Sequence, residues 1–308
     1  MARILLTGAT GFVGRAVANT LLSAGHSVHA AGRTGSGPEN RLSGWTRIPD
    51  QNARTDWSAA LRGIDVVVHL AARAHAQSRS AAARAMIRVV NVEGTQALAR
   101  QAAGAGVRRF IFLSSLKVHG EESGSRPHVA TDPPRPADPY GESKAEAEER
   151  LRALSADGLE VVIIRPPLLI GAGSKANVAR LIQLVRSGVP LPFASVDNRR
   201  SLLSLANLAD LIALCIEHPR APEIPLLAAD ADAPSTPQLI RWVAEATHSP
   251  ARLFHCPPRL LELAAIPLGL GAVARRLTRS QELDASLTTT LTGWTPRVTT
   301  RESLSAAW

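Results

Sequence analysis

Arg3-Ile4-Leu5-Leu6-Thr7-Gly8-Ala9-Thr10-Gly11-Phe12-Val13-Gly14 decides the fold. A short apolar run leads into a turn with a glycine every third residue. Arg15 to Ala24 then carries Ala16, Val17, Leu21 and Leu22 at helical spacing. The reading is strand, glycine turn, helix. Gly8, Gly11 and Gly14 let the backbone turn tightly and approach a pyrophosphate. Phe12 and Val13 stand between them, where the N–H groups of the helix start and its positive dipole end would meet the anion. A secretory leader is not expected, because glycines break the apolar stretch and no cleavage pattern follows.

Outward from this turn, strand and helix patterns alternate to about residue 170, which predicts βαβ units and a parallel sheet. The fold class expected is α/β, a Rossmann-type doubly wound parallel sheet. The dinucleotide-binding domain would span residues 1–170, and the pattern loosens over residues 171–308, which would form a smaller part with some segments returning to the sheet. Residues 120–139 are rich in Pro, Gly and Ser and long for a connector, so they are expected to border the site. Residues 189–198 and 229–237 read as loops over a cleft. With 308 residues and 45% apolar content, the chain suffices for one large unit with an appendage. No run of about 20 apolar residues appears. Arg259 to Leu277 comes nearest, but Glu262, Pro267 and glycines interrupt it, and it reads as a packed helix pair, with membrane-surface contact the alternative. No stable membrane insertion and a cytoplasmic location are expected.

Composition removes other classes. Cys215 and Cys256 make neither a disulfide framework nor a metal site, and the nine histidines show no metal-ligand spacing. Cys215 falls in an apolar helical pattern and is expected in the core. The net charge of +9 invites nucleic acid, but the arginines are dispersed and aromatics amount to 4%, so no nucleic-acid partner is expected. An anionic small substrate fits the charge as well.

Tyr140 is the single tyrosine, and Lys144, one of three lysines, follows four residues later. On a helix the two share a face. A phenol near pKa 10 is a poor acid or base at neutral pH. A neighbouring ammonium would lower that pKa and make the pair a general acid/base.

The glycine spacing and the later Tyr-x-x-x-Lys together resemble the short-chain dehydrogenase/reductase superfamily in its extended branch. Further segments continue the resemblance in order. They are Asp65 to Ala72, Asn91-Val92-Glu93-Gly94-Thr95 with its buried Asn, Phe110 to Ser115, and Arg165-Pro166-Pro167-Leu168-Leu169-Ile170-Gly171. The resemblance implies that residues 1–170 bind NAD(P) and residues 171–308 mainly the substrate, and that Leu70, Ala71, Ala72, Asn91 and Pro167 surround a nicotinamide cofactor. It implies a triad in which Ser115 hydrogen-bonds the reacting oxygen, Tyr140 moves its proton, and Lys144 binds the nicotinamide ribose. Ser114 is the alternative for the Ser role, since adjacent strand residues face opposite ways. The spacing from Ser115 to Tyr140 fits the sugar 4-epimerase pattern, and Ser115 is preferred. Family members are often homodimers through helices near Asn91 and Tyr140.

Departures from relatives narrow the reaction. Leu116-Lys117 stands where 4,6-dehydratases carry Asp-Glu. The decarboxylating relatives have Glu at the Lys117 position, and the epimerase-reductases have Cys at the Leu116 position. What remains is redox at one carbinol. Ser114 to Glu121 and Asn198 to Leu202 resemble bacterial proteins acting on UDP-N-acetylhexosamines in surface-polysaccharide synthesis. Arg200 and Asn177 would contact the nucleotide diphosphate, and Lys117 would bind the sugar or depress the Tyr140 pKa. The strand Ser27 to Ala31 ends in Gly32-Arg33-Thr34 without an acid for the ribose 2′-OH. Arg33 and Thr34 suit a 2′-phosphate, so NADP(H) is favoured, with NAD the alternative. The expectation placed first is NADPH-dependent reduction of a UDP-4-keto-6-deoxy-hexosamine. The alternatives are a UDP-hexose or UDP-N-acetylhexosamine 4-epimerase with tightly bound NAD, a ketone or aldehyde reductase of lipid-like substrates, and a non-catalytic NADP-binding regulator.

Overall fold

A computed structural model describes residues 1–33, 41–74, 80–155, 158–174, 177–219 and 224–308. The strands are β1 Arg3–Thr7, β2 Ser27–Gly32, β3 Gly44–Arg47, β4 Val66–His69, β5 Arg109–Leu113, β6 Glu160–Arg165, β7 Leu168–Ile170, β8 Leu202–Ser204 and β9 Leu226–Leu227. The helices are α1 Phe12–Ser23, α2 Ser58–Leu61, α3 Ala81–Arg88, α4 Gly94–Gly104, α5 Pro139–Ser155, α6 Asn177–Arg186 and α7 Leu205–Cys215. They continue as α8 Thr236–Ala246, α9 Pro258–Ala265, α10 Gly271–Thr278, α11 Ser286–Thr292 and α12 Thr300–Ser305.

Seven parallel strands form the sheet in the order β3-β2-β1-β4-β5-β6-β9. β1 has β2 on one side and β4 on the other, so the winding reverses there, and ligands of open α/β sheets bind outside the strand ends at such a reversal. The central strands read Ile4-Leu5-Leu6 and Val66-Val67-Val68 because both faces are covered and no polar alternation survives. One face packs Val17, Ala18 and Leu21 of α1 against Leu208, Leu211 and Ile212 of α7. The other packs Leu98, Ala99 and Ala102 of α4 with Ala147 and Leu151 of α5. Each fully buried Leu contributes about 1.5–3 kcal/mol relative to exposure.

The segment after residue 170 divides between the sheet and a smaller unit. α7 lies on α1, and β9 extends the sheet beside β6. Ile170, Val178, Ile182, Leu202 and Ile240 gather in a separate apolar cluster. Cys215 is fully buried in the main core. No helix among the described residues is long and apolar enough to cross a membrane.

Candidate active site

The glycines are fixed by contacts no other residue tolerates. Gly8 has φ +75°, and a Cβ there would lie 2.9 Å from the Ala71 nitrogen. A Cβ on Gly14 would meet the Gly8 carbonyl oxygen at 2.1 Å. Gly11 begins α1 and offers no side-chain cap, so the first-turn N–H groups stay available to an anion. Beneath this turn His69 is fully buried, 2.7 Å from Thr7 Oγ1 and 3.0 Å from Thr95 Oγ1. Thr7 Oγ1 also accepts the Ala71 N–H at 3.2 Å. Burial, with the nearby Lys144 charge second, pushes the His69 pKa down to about 3, so the ring is neutral.

Two cavities meet at Gly8, Gly11, Leu70 and Ala72. The larger, about 640 Å³, runs along the ends of β1, β2 and β4 and includes Ala71, Arg33, Asp50, Gln51 and Asn52. The smaller, about 310 Å³, is lined by Phe12, Val13, Gly14, Ser114, Ser115, Tyr140 and Pro167. The forked trough, floored by backbone that a Cβ would obstruct, fits a dinucleotide. Asp50, Gln51 and Asn52 escaped sequence reading because they follow β3, a four-residue strand without apolar alternation. Thr34 and Lys175 lie outside the described residues. Asn177 opens α6, and its side chain likewise lies outside the description.

Asn91 lies behind the trough rather than in it. It is buried in a π-helical turn, Val89–Glu93, of the kind that often marks functional positions. Its side chain accepts the Arg73 N–H at 2.8 Å and donates to the Ser143 hydroxyl at 3.0 Å, tying the loop after β4 to α5.

α5 carries Tyr140, Lys144 and Glu148 at successive four-residue steps on one face. Asp138 starts the helix by accepting the Gly141 N–H at 2.7 Å. The Tyr140 hydroxyl makes no hydrogen bond with any described residue. Lys144 Nζ donates to the Leu113 carbonyl at 2.6 Å and sits 4.3 Å from the Phe112 ring centre. The charge state differs from the sequence expectation. Burial and then the Asp138 carboxylate push the Tyr140 phenol above its ordinary value. Burial pushes Lys144 down to about 7 against the opposing pull of Glu148. Desolvation outweighs attraction between the pair, whose ammonium lies 5.9 Å from the phenol ring centre.

The two serines separate by partner. Ser114 Oγ donates to Glu148 Oε1 at 2.5 Å, and Arg165 grips the same carboxylate through Nε at 2.9 Å and Nη2 at 2.6 Å. Ser115 Oγ accepts the Lys117 N–H at 3.2 Å, and among the described residues nothing takes its own proton, which is left to donate. Lys117 and Arg200 both have partners within the chain. Lys117 Nζ pairs with Asp138 and with Glu121 at 3.0 Å, which draws its charge to the start of α5. Arg200 Nη1 donates to the Arg276 carbonyl at 2.5 Å and Nη2 to Gln281 Oε1 at 3.0 Å. Arg15 Nε donates to the Thr10 carbonyl at 3.3 Å.

The fold also gathers His119, His128 and Asp132, their ligand atoms within 4.8 Å. Arg165 Nη1 donates to His119 Nε2 at 2.8 Å, and Arg126 holds Asp132 through two bonds, so cations already fill this cluster.

Residues 4–226 match the NAD dependent epimerase/dehydratase family. The chain belongs to this family. It is 42% identical over 304 residues to a UDP-glucose 4-epimerase of Vibrio cholerae, covering 97% of this chain and 92% of that one. Among solved structures it resembles the UDP-glucose 4-epimerase of Thermotoga maritima with UDP-glucose, at a TM-score of 0.78 and 23% identity, covering 99% of this chain and 97% of that one. It also resembles the Bordetella bronchiseptica enzyme WbmG in complex with NAD, at 0.76 and 20%, covering 99% and 92%. At those identities the solved structures speak for the fold, which is the doubly wound sheet expected from the glycine turn.

Proposed function

We propose that this chain is a UDP-hexose 4-epimerase working with a retained NAD. The observation that carries the reading is the 42% identity to the Vibrio cholerae enzyme over nearly the whole of both chains. The site supports it. Ser115 and Tyr140 line one cavity, with Lys144 behind them. Bound there, NAD supplies a hydride acceptor and donor at its nicotinamide ring. Tyr140, once it has given up its own proton, takes the proton of the sugar C4 hydroxyl and returns it, Ser115 donates a hydrogen bond to that oxygen, and Lys144 holds the ribose. One carbinol is inverted with no net redox change, so no acid–base pair for water elimination is needed. Residues 171–308 hold the UDP-sugar in this reading, and two copies pair through α4 and α5.

The NADPH-dependent reductase is the second reading, and Arg33 at the rim of the larger cavity favours it. Asp50 weighs against it. It lines the same cavity, and an acid there disfavours a 2′-phosphate. Denaturing the purified protein and identifying the released nucleotide separates the two. Stoichiometric NAD, with UDP-glucose and UDP-galactose interconverted without added cofactor, supports the epimerase. An empty site that binds NADPH far more tightly than NADH, with no interconversion, rejects it for the reductase.

A further inference from the structure

The hairpin of α9 and α10 is anchored at its base and exposed at its tip. At the base, Thr236 Oγ1 donates to the Leu277 carbonyl at 2.6 Å and Asn198 Nδ2 to the Arg279 carbonyl at 3.0 Å. At the tip the apolar side chains face solvent. Leu263 is 62% exposed and Leu268 71%, with Leu260, Ile266, Leu270 and Val273 also open. Leu260, Leu263 and Ile266 follow at three-residue steps and share one face of α9. The two helices pack on each other, as the sequence reading expected, but leave each of these side chains at least 46% exposed. An exposed run of this kind marks an interaction surface.

Charge selects the occupant. Arg252, Arg259 and Arg275 lie in the hairpin or in the segment leading into it, all exposed, and none forms an ion pair within 4 Å among the described residues, though Arg275 is near enough to Glu262 to help hold its carboxyl down. Glu262 is the single acid between residues 250 and 279, and its carboxylate is taken by Arg279 at 2.9 Å and Thr278 at 2.7 Å. A second copy meeting this patch by two-fold symmetry would set unpaired guanidinium groups against their own kind. An anionic lipid surface complements both features. Headgroup phosphates meet the arginines, and the leucines enter the boundary between headgroups and acyl chains.

We propose that the α9–α10 tip docks the protein reversibly on anionic membrane surfaces. The docking is peripheral and does not rest on the reaction read above. The test is sedimentation of the full chain with vesicles of phosphatidylcholine alone and of phosphatidylcholine mixed with phosphatidylglycerol. The protein should pellet with the mixed vesicles, remain in solution with the neutral ones, and release as salt rises. The double variant Leu263→Asp, Leu268→Asp should partition about tenfold less at an unchanged melting temperature. Absence of pelleting with anionic vesicles overturns the proposal, and so does equal pelleting of the variant. A wild-type dimer that the variant dissociates, with no vesicle binding, overturns it in favour of a second copy on the patch.

Discussion

Replacing Ser114 and Ser115 by alanine, one at a time, should give opposite phenotypes. Ser114 donates to a fully buried carboxylate at 2.5 Å. Losing a buried hydrogen bond to a charged group costs about 1.5–3 kcal/mol. At about 2 °C per kcal/mol for a chain of this size, Ser114→Ala should melt roughly 3–6 °C lower. Its turnover should stay within about twofold of the parent, since its hydroxyl is spent on Glu148. Ser115 accepts one backbone N–H at 3.2 Å at the start of a short turn. Its loss should cost about 0.5 kcal/mol and roughly 1 °C. If its free proton serves the reacting oxygen, Ser115→Ala should lose about 10²–10³-fold in kcat. Calorimetry and turnover on the same two preparations decide it. A Ser114→Ala enzyme that is inactive but melts normally, beside an active Ser115→Ala enzyme, refutes the assignment.

Tyr140→Phe should lower kcat by about 10²–10⁴-fold while the denatured protein still releases a full complement of nucleotide, because only the proton carrier is removed. Gly14→Ala sets a Cβ 2.1 Å from the Gly8 carbonyl, so the turn must open by about 1 Å; a stability loss of about 1–3 kcal/mol and a drop in copurifying nucleotide should follow, and a normal nucleotide content would count against the trough as the cofactor site. Burial pushes the His69 pKa to about 3 and that of His119 to about 4, so both stay neutral in the fold while the unfolded chain takes up protons below about 6.5. Their share of stability is complete above that pH and is lost as pH falls towards 4, at about 1.4 kcal/mol per unit for each ring; urea unfolding that is flat between pH 6.5 and 5 would contradict it.

The glycine turn was legible because its geometry is local. Gly8, Gly11 and Gly14 answer to contacts within a few residues and to one neighbouring strand, so their spacing alone carries the message. The buried Asn91 was legible only through family resemblance, since its partners Arg73 and Ser143 lie 18 and 52 residues away. Lys117 and Arg200 read as substrate contacts through their charge and the family resemblance, and the sequence does not announce the partners they have within the chain. The partners Asp138 and the Arg276 carbonyl, 21 and 76 residues distant, are supplied by the fold. The Leu-rich run between Arg259 and Leu277 read as packed because helical spacing fixes which residues share a face. It does not fix whether anything covers that face.

Sequence spacing joined Tyr140 to Lys144, but the third member of the stripe, Glu148, is what opposes burial at Lys144. It has no exposed surface, and its carboxylate holds up the proton affinity of Lys144 against desolvation. Arg165 and Arg152 balance it at 2.6 Å and 3.0 Å. Removing the carboxylate should therefore lower the Lys144 pKa further below its value of about 7, and the alkaline limb of kcat should move to lower pH, provided turnover needs the ammonium. Glu148→Gln alone strands the buried Arg165 charge and should cost about 3–5 kcal/mol. The paired variant Glu148→Gln, Arg165→Met removes both charges and avoids that loss. In the single variant the unbalanced Arg165 charge adds to the shift, so the limb should move at least as far there as in the paired variant. A limb that stays in place in both would mean that the Glu148–Arg165 pair fastens β6 to α5 and leaves the chemistry of Lys144 to the bound cofactor.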